Sequence, residues 1–220
     1  MIRVSGFVHL EPDALDEVTA ALRVAAAELD DLLAFQVSPT KAVAHRAGQL
    51  MVLAAFTDRD ATERARSHPA VTGVLEPLLD ERASHVEIVR YEQGPADLRQ
   101  PDLTRGIQRT LLFHIDPGVE RASVATFERD LRSMPQYIDA IRNSSLSTLG
   151  DTWGGTGKPW THVWEQEFAT LEGLTGPYMH HGYHWSWIDT WFDPQAPNHI
   201  VDTTLVHAMC DLDRSILALR

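Results

Sequence analysis

Between Thr175 and Trp191 the chain reads TGPYMHHGYHWSWIDTW, three histidines, two tyrosines and three tryptophans within seventeen residues. Histidine titrates near neutral pH, and a tyrosine within reach can orient it or share its proton, so such a set suits general acid–base work. His184 paired with Tyr178 is the candidate couple, removing an acidic proton beside a carbonyl. His162 would orient substrate or protonate the product oxygen, and Arg109 would hold a carboxylate or a developing enolate. A second chemistry is open to the same stretch. His180 and His184 are four apart, which places two imidazoles on one helix face for a metal, with His162 or His207 to complete the set. No cysteine or Glu-x-x-His pattern accompanies them.

Spacing constrains the couple. On an ideal helix, residues 178 and 184 point roughly 120° apart. They converge only if the segment breaks, and Gly182 is placed to permit a break, giving two short helical pieces.

The elements that would position these residues occur twice. FVHLEP (Phe7 to Pro12) reads against LFHIDP (Leu112 to Pro117) at an offset of 105, and an amphipathic helix pattern follows each. QLMVLAAF, ending at Phe56, matches THVWEQEF, ending at Phe168; SHPAV aligns His68 with His181; and SHVEIVRYE aligns His85 with His199. Each copy reads strand, helix, strand, strand, helix, strand, the ferredoxin-like α+β plan. The expected fold is two tandem repeats, 1–92 and 107–220, joined by a polar linker at 93–106. Their antiparallel sheets would stack into one intramolecular α+β barrel, a pseudo-dimer in a single chain, which leaves room for further homodimer formation.

The copies differ in an informative way. Arg109, His162, Tyr178 and His184 in the second align with Val4, Leu50, Ala65 and Val71 in the first. Buried polar groups are costly unless hydrogen-bonded or solvated, so the second copy is expected to be hollow and the first, as scaffold, packed. All six tryptophans lie in the second copy. Trp160, Trp164 and Trp185, with His181, are the expected substrate-binding walls. Alternation along WTHVWEQEF puts Trp160, His162, Trp164 and Phe168 on one face. Trp153 and Trp191 read as packing residues, and His9 and His114, at matching positions, as structural. His181 could equally cap a helix and His184 bond a backbone carbonyl.

THVWEQEF, the helix leading to YMHHGYH, and the closing strand resemble the stress-responsive A/B barrel (Dabb) family of the dimeric α+β barrel superfamily, over most of residues 107–212. QLMVLAAFTDRDATERARSHPAV resembles it more weakly. The family includes polyketide cyclases of the olivetolic acid cyclase type, which perform an intramolecular aldol condensation. The resemblance implies a catalytic tyrosine at Tyr178, a catalytic histidine at His184 and a pocket histidine at His162. It also implies a histidine where this chain has Arg109, and a proline where it has Gly182. The activity implied is that of a cofactor-independent carbon–carbon lyase or cyclase on a partly aromatic, polyketide-like carbonyl compound. Alternatives are a non-catalytic ligand-binding or stress-responsive barrel and, since haem is used elsewhere in the superfamily, a metal- or haem-binding barrel.

Composition bounds the rest. The 220 residues are 44% hydrophobic and 23% charged, with a formal charge of −12, which argues against nucleic acid or an anionic membrane as partner. No run is long and apolar enough to cross a membrane, and the N-terminus lacks a signal pattern. The single cysteine, Cys210, excludes an internal disulfide and reads as a buried strand thiol. A cytoplasmic protein acting on or binding a small molecule is expected. GGTGKP, from Gly154, lacks the Ser or Thr and the earlier glycine of a P-loop, and is expected to be a loop covering the pocket.

Overall fold

The computed structural model describes residues 1–42, 44–149, 151–152 and 159–219. The loop from Gly154 to Lys158, expected to cover a pocket, and Trp153 lie outside them. The first repeat runs β1 (Ile2–Leu10), α1 (Leu15–Ala27), β2 (Leu32–Pro39), β3 (Leu50–Phe56), α2 (Arg59–Ser67), α3 (Glu76–Arg82) and β4 (Ala83–Glu92). The short β5 (Ala96–Leu98) follows. The second repeat runs β6 (Thr104–Phe113), α4 (Arg121–Tyr137), β7 (Ile141–Thr148), β8 (Asp151–Thr152), β9 (His162–Phe168), α5 (Leu171–Gly173) and β10 (Val206–Arg214). Residues 93–106 are more than a tether: β5 pairs with β7, and β6 starts within them.

The sheets have the orders β2-β3-β1-β4-β8 and β10-β6-β9-β7-β5. Both are the antiparallel ferredoxin-like arrangement, with the first strand of each repeat between its third and fourth. Registers coincide between repeats. Ile2 faces Phe56 and Val8 faces Leu50 in one; Ile107 faces Phe168 and Phe113 faces His162 in the other. The closing strands align differently from the sequence expectation. Glu87 stands opposite Phe7 and Val206 opposite Leu112, so His85 does not correspond to His199, which precedes β10. The second repeat inserts a longer connection there, and the short matching string around each histidine was coincidental.

Period-2 alternation sorts the side chains. Phe7, Met51 and Val89 of one sheet meet Leu112, Val163, Ala208 and Cys210 of the other in a shared core between the sheets. Fully burying each large apolar side chain there contributes about 1.5–3 kcal/mol. The barrel closes where Lys41 N–H donates to the Met209 carbonyl (2.7 Å) and His45 and His207 exchange backbone hydrogen bonds (2.7 and 2.9 Å). The opposite faces carry the helices. Val18, Leu22 and Ala25 of α1, and Phe127, Leu131 and Met134 of α4, are buried at the same i, i+4, i+7 spacing. Among the described residues no helix is long and apolar enough to cross a membrane.

Candidate functional site

Arg109 sits on the helix-covered face of β6, midway along it, and is 5% exposed. Its Nε donates to His207 Nε2 on β10 and its Nη1 to Gln166 Oε1 on β9, each at 2.8 Å. The guanidinium lies over the Trp164 ring (4.7 Å) and the Tyr178 ring (5.4 Å). Among the described residues no carboxylate comes within ion-pair distance of it, and burial lowers its pKa. A buried cation without a paired anion is costly.

The second helical segment delivers the couple. Thr170 caps its start, its hydroxyl accepting from Gly173 N–H at 3.1 Å, as Asp58 caps α2 by accepting from Ala61 N–H at 2.8 Å. A π-turn spans Leu174–Tyr178 and another His184–Ile188. The chain breaks between them as expected, but at 179–181. Gly182 has no positive φ, so its backbone freedom is not what permits the break. The two rings meet with centroids 4.5 Å apart, Tyr178 fully buried and His184 5% exposed. The second π-turn, closing from i to i+5, sets Asp189 Oδ1 3.7 Å from His184 Nε2. Asp130 on α4 anchors this segment by accepting from the indole N–H of Trp187 (3.1 Å) and Trp191 (3.2 Å).

Electrostatics fix the protonation states. Burial, then the Arg109 charge, then His181 push His184 down to about 4, so it is neutral at pH 7 and its contact with Asp189 is not an ion pair. Burial, partly offset by Arg109, pushes the Tyr178 phenol up to about 12. Burial and Arg109 hold His207 far below its usual range, consistent with an Nε2 that accepts from the guanidinium. Three buried polar atoms at this cluster lack a well-formed hydrogen bond, the Tyr178 hydroxyl, His184 Nδ1 and Gln166 Nε2, although the Gln166 side chain lies near enough to the phenol to oppose the rise in its pKa. Buried groups of this kind are nearly always satisfied in folded proteins.

Other expected site residues do not join. His162 stacks on Phe113 (5.0 Å) and both its ring nitrogens are occupied, by Thr161 Oγ1 (2.8 Å) and Glu128 Oε1 (3.3 Å). Four residues along β9 put it about 13 Å from the Gln166 position. Trp160, expected beside His162, precedes the regular strand and packs into the core between the sheets instead. Trp185 is 60% exposed. His181 is the cap: its Nδ1 accepts from Tyr183 N–H at 3.1 Å. His184 does not bond a backbone carbonyl through its ring. His180 is exposed while His184 is buried across the break, and among the described residues no three His, Cys, Asp or Glu side chains gather as metal ligands. Trp191 and Cys210 are buried, as read from sequence.

Sequence reasoning missed Gln166 and Asp189 and gave His207 only a metal role. Gln166 was legible from alternation, one pleat on from Trp164. Asp189 depends on an i to i+5 turn that spacing rules for an α-helix do not anticipate. The first repeat is not the packed half expected, and the second keeps open space beside Leu131 and Trp164 (about 160 Å³) and beside His114 and His199 (about 410 Å³). Around Arg109 the helix side of the second repeat is packed with Phe113, Phe127, Trp164, Tyr178 and Trp191, whereas at the equivalent place in the first a pocket of about 230 Å³ stays open. Arginine and aromatic rings take up the volume that their aliphatic counterparts leave open.

The fold and site define a single-chain α+β barrel with a buried polar centre in one half. Residues 107–204 match the Stress responsive A/B Barrel Domain family. The match lies within the second repeat. Similar solved structures share the architecture across both repeats. An anthrone oxidase-like protein has a TM-score of 0.70 at 8% identity, covering 96% of this chain and 90% of that one. A Lactobacillus acidophilus NCFM protein provisionally assigned as a monooxygenase has 0.58 at 8%, covering 97% of each. A provisionally assigned chlorite dismutase has 0.56 at 12%, covering 99% and 97%. At such identity the likeness is one of fold. A search of curated proteins finds no match to the sequence.

Proposed function

We propose that the second repeat binds a small, partly aromatic carbonyl compound and catalyses proton transfer on it, as a cofactor-independent cyclase or lyase of the intramolecular aldol type. The observation that carries this reading is the buried Arg109, without a carboxylate partner, over the Tyr178 ring and bonded to Gln166, with the Tyr178 hydroxyl, His184 Nδ1 and Gln166 Nε2 lacking well-formed hydrogen bonds. A ligand with an oxygen that takes up negative charge, a second oxygen and an acidic carbon–hydrogen bond would meet them together. Arg109 and the Tyr178 O–H stabilise the enolate oxygen, Gln166 Nε2 donates to a second ligand oxygen, and neutral His184 accepts the carbon-bound proton. An anion beside Arg109 offsets the charge that depresses His184, so the base strengthens when substrate is bound. The carbanion then attacks a second carbonyl of the same molecule and closes the ring, the new alkoxide takes the proton back from His184, and loss of water follows. His162 supports the fold of this half through Glu128.

The second reading is ligand binding without turnover. It is favoured by the closure of the site, in which Asp189, with a half-exposed side chain, is the member of the cluster that reaches solvent. Incubation with a linear aromatic-starter poly-β-ketone, followed by mass spectrometry, tests the choice. Ring closure seen as His184-dependent loss of water supports the cyclase. Saturable binding with no product supports the second reading.

A further inference from the structure

The first repeat holds its cavity in the place where the second holds its polar cluster. The registers make Val4, Ala54 and Ile88 the counterparts of Arg109, Gln166 and His207. Ala65 and Val71 stand three residues before and after His68, as Tyr178 and His184 stand three before and after His181. All five first-repeat residues line the cavity of about 230 Å³. Five polar groups of the second site are thus replaced by aliphatic ones, while Asp189, which follows its π-turn, keeps a carboxylate counterpart in Glu76 at the pocket rim; the surrounding walls have not collapsed onto the space.

The remaining lining supplies little that would recognise charge. Leu22, Phe35 and Leu79 are apolar, and Arg66 and Glu76 are exposed residues at the rim. The Thr62 hydroxyl is occupied, donating to the Arg59 carbonyl (2.6 Å) and accepting from Arg90 Nη1 (3.0 Å). An enclosed apolar cavity of about 150 Å³ accommodates benzene, so this larger pocket, open at its rim, has room for a two-ring molecule or its aliphatic equivalent. Ions and hydrogen-bonding groups would lose their water there without replacement.

We infer that the first repeat is a second binding site, for an uncharged apolar small molecule, at the position equivalent to the polar centre of the second repeat. The inference is independent of the proposed catalysis. One chain then holds two sites of opposite chemistry on one scaffold.

The test uses N-phenyl-1-naphthylamine, an uncharged probe that brightens in apolar surroundings, titrated into the full chain. Saturable one-to-one binding is expected. Ala65→Phe puts a ring where the second repeat already accommodates Tyr178, and Ala54→Leu fills the cavity by a smaller step. Each is expected to weaken binding about tenfold or more with a retained cooperative melt, while Tyr178→Phe leaves it unchanged. If Ala65→Phe does not fold, Ala54→Leu carries the test alone. Absence of saturable binding overturns the inference, as does binding that survives both fillings or that is lost instead in Trp185→Ser. A dimeric chain that takes up no probe would assign the cavity to a partner copy and overturn it equally.

Discussion

Val71 and His184 occupy the same position in the two repeats. Each backbone N–H donates to the carbonyl of the histidine three residues earlier, Val71 to His68 at 2.8 Å and His184 to His181 at 2.9 Å. The rings of those two histidines also do the same work, His68 Nδ1 accepting from Ala70 N–H (3.2 Å) and His181 Nδ1 from Tyr183 N–H (3.1 Å). One turn, built twice, presents an aliphatic side chain in one half and an imidazole in the other. His68 and His181 therefore do the same structural work, and what this turn contributes to the difference between the halves is the side chain three positions later in each.

That division predicts matched effects for His68→Ala and His181→Ala. Each removes one hydrogen bond that orders a turn, worth about 1 kcal/mol. Thermal melts are expected to show similar small losses for both.

Tyr178→Phe is expected to raise the melting temperature. The phenol oxygen is buried without a well-formed hydrogen bond, and removing such a group relieves a penalty of about 1–3 kcal/mol. The same variant should weaken binding of a carbonyl ligand, since the O–H that would meet its oxygen is gone. Opposite signs for stability and binding distinguish a ligand-directed group from a structural one.

Arg109→Met is expected to keep or raise stability for a related reason. Well-packed apolar replacements of buried charge are commonly neutral or stabilising by about 1–4 kcal/mol. The released His207 and Gln166 partners offset part of that gain. Binding of an anionic ligand to the second repeat, read by calorimetry, should be lost.

Acid should destabilise the protein over a defined window. His184 is held at about 4, below the ordinary histidine value of 6.5, with burial as the main cause. The unfolded chain therefore binds more protons between those two values, and stability falls as pH falls from 6.5 towards 4. Buried His162 and His207 are lowered as well and act in the same direction. Melting temperatures measured across this range should drop, and His184→Gln should flatten the dependence.

The sequence made the architecture legible because the repeat is written in its strands. Phe56 and Phe168 each close a third strand, and each faces an isoleucine in the first half of the first strand, Ile2 and Ile107. Arg109, Tyr178 and His184 were identifiable as polar intrusions at positions the first copy leaves apolar. What escaped were properties of volume and local turn geometry. Trp160 lies before its strand becomes regular, so alternation misplaced it. Where each half is open depends on how far large side chains fill the helix–sheet gap, and a pattern of polar and apolar letters does not record that.

In the proposed reaction His184 abstracts a carbon-bound proton from a ligand held by Arg109 and Tyr178. Deuterium exchange into the methylene beside the ketone of 4-oxo-4-phenylbutanoate, followed by proton NMR in heavy water, isolates that step from any later ring closure. The account predicts exchange faster than buffer by about 10²-fold or more, abolished in His184→Ala and weakened in Tyr178→Phe. Exchange no faster than buffer, or equally fast in His184→Ala, would contradict it.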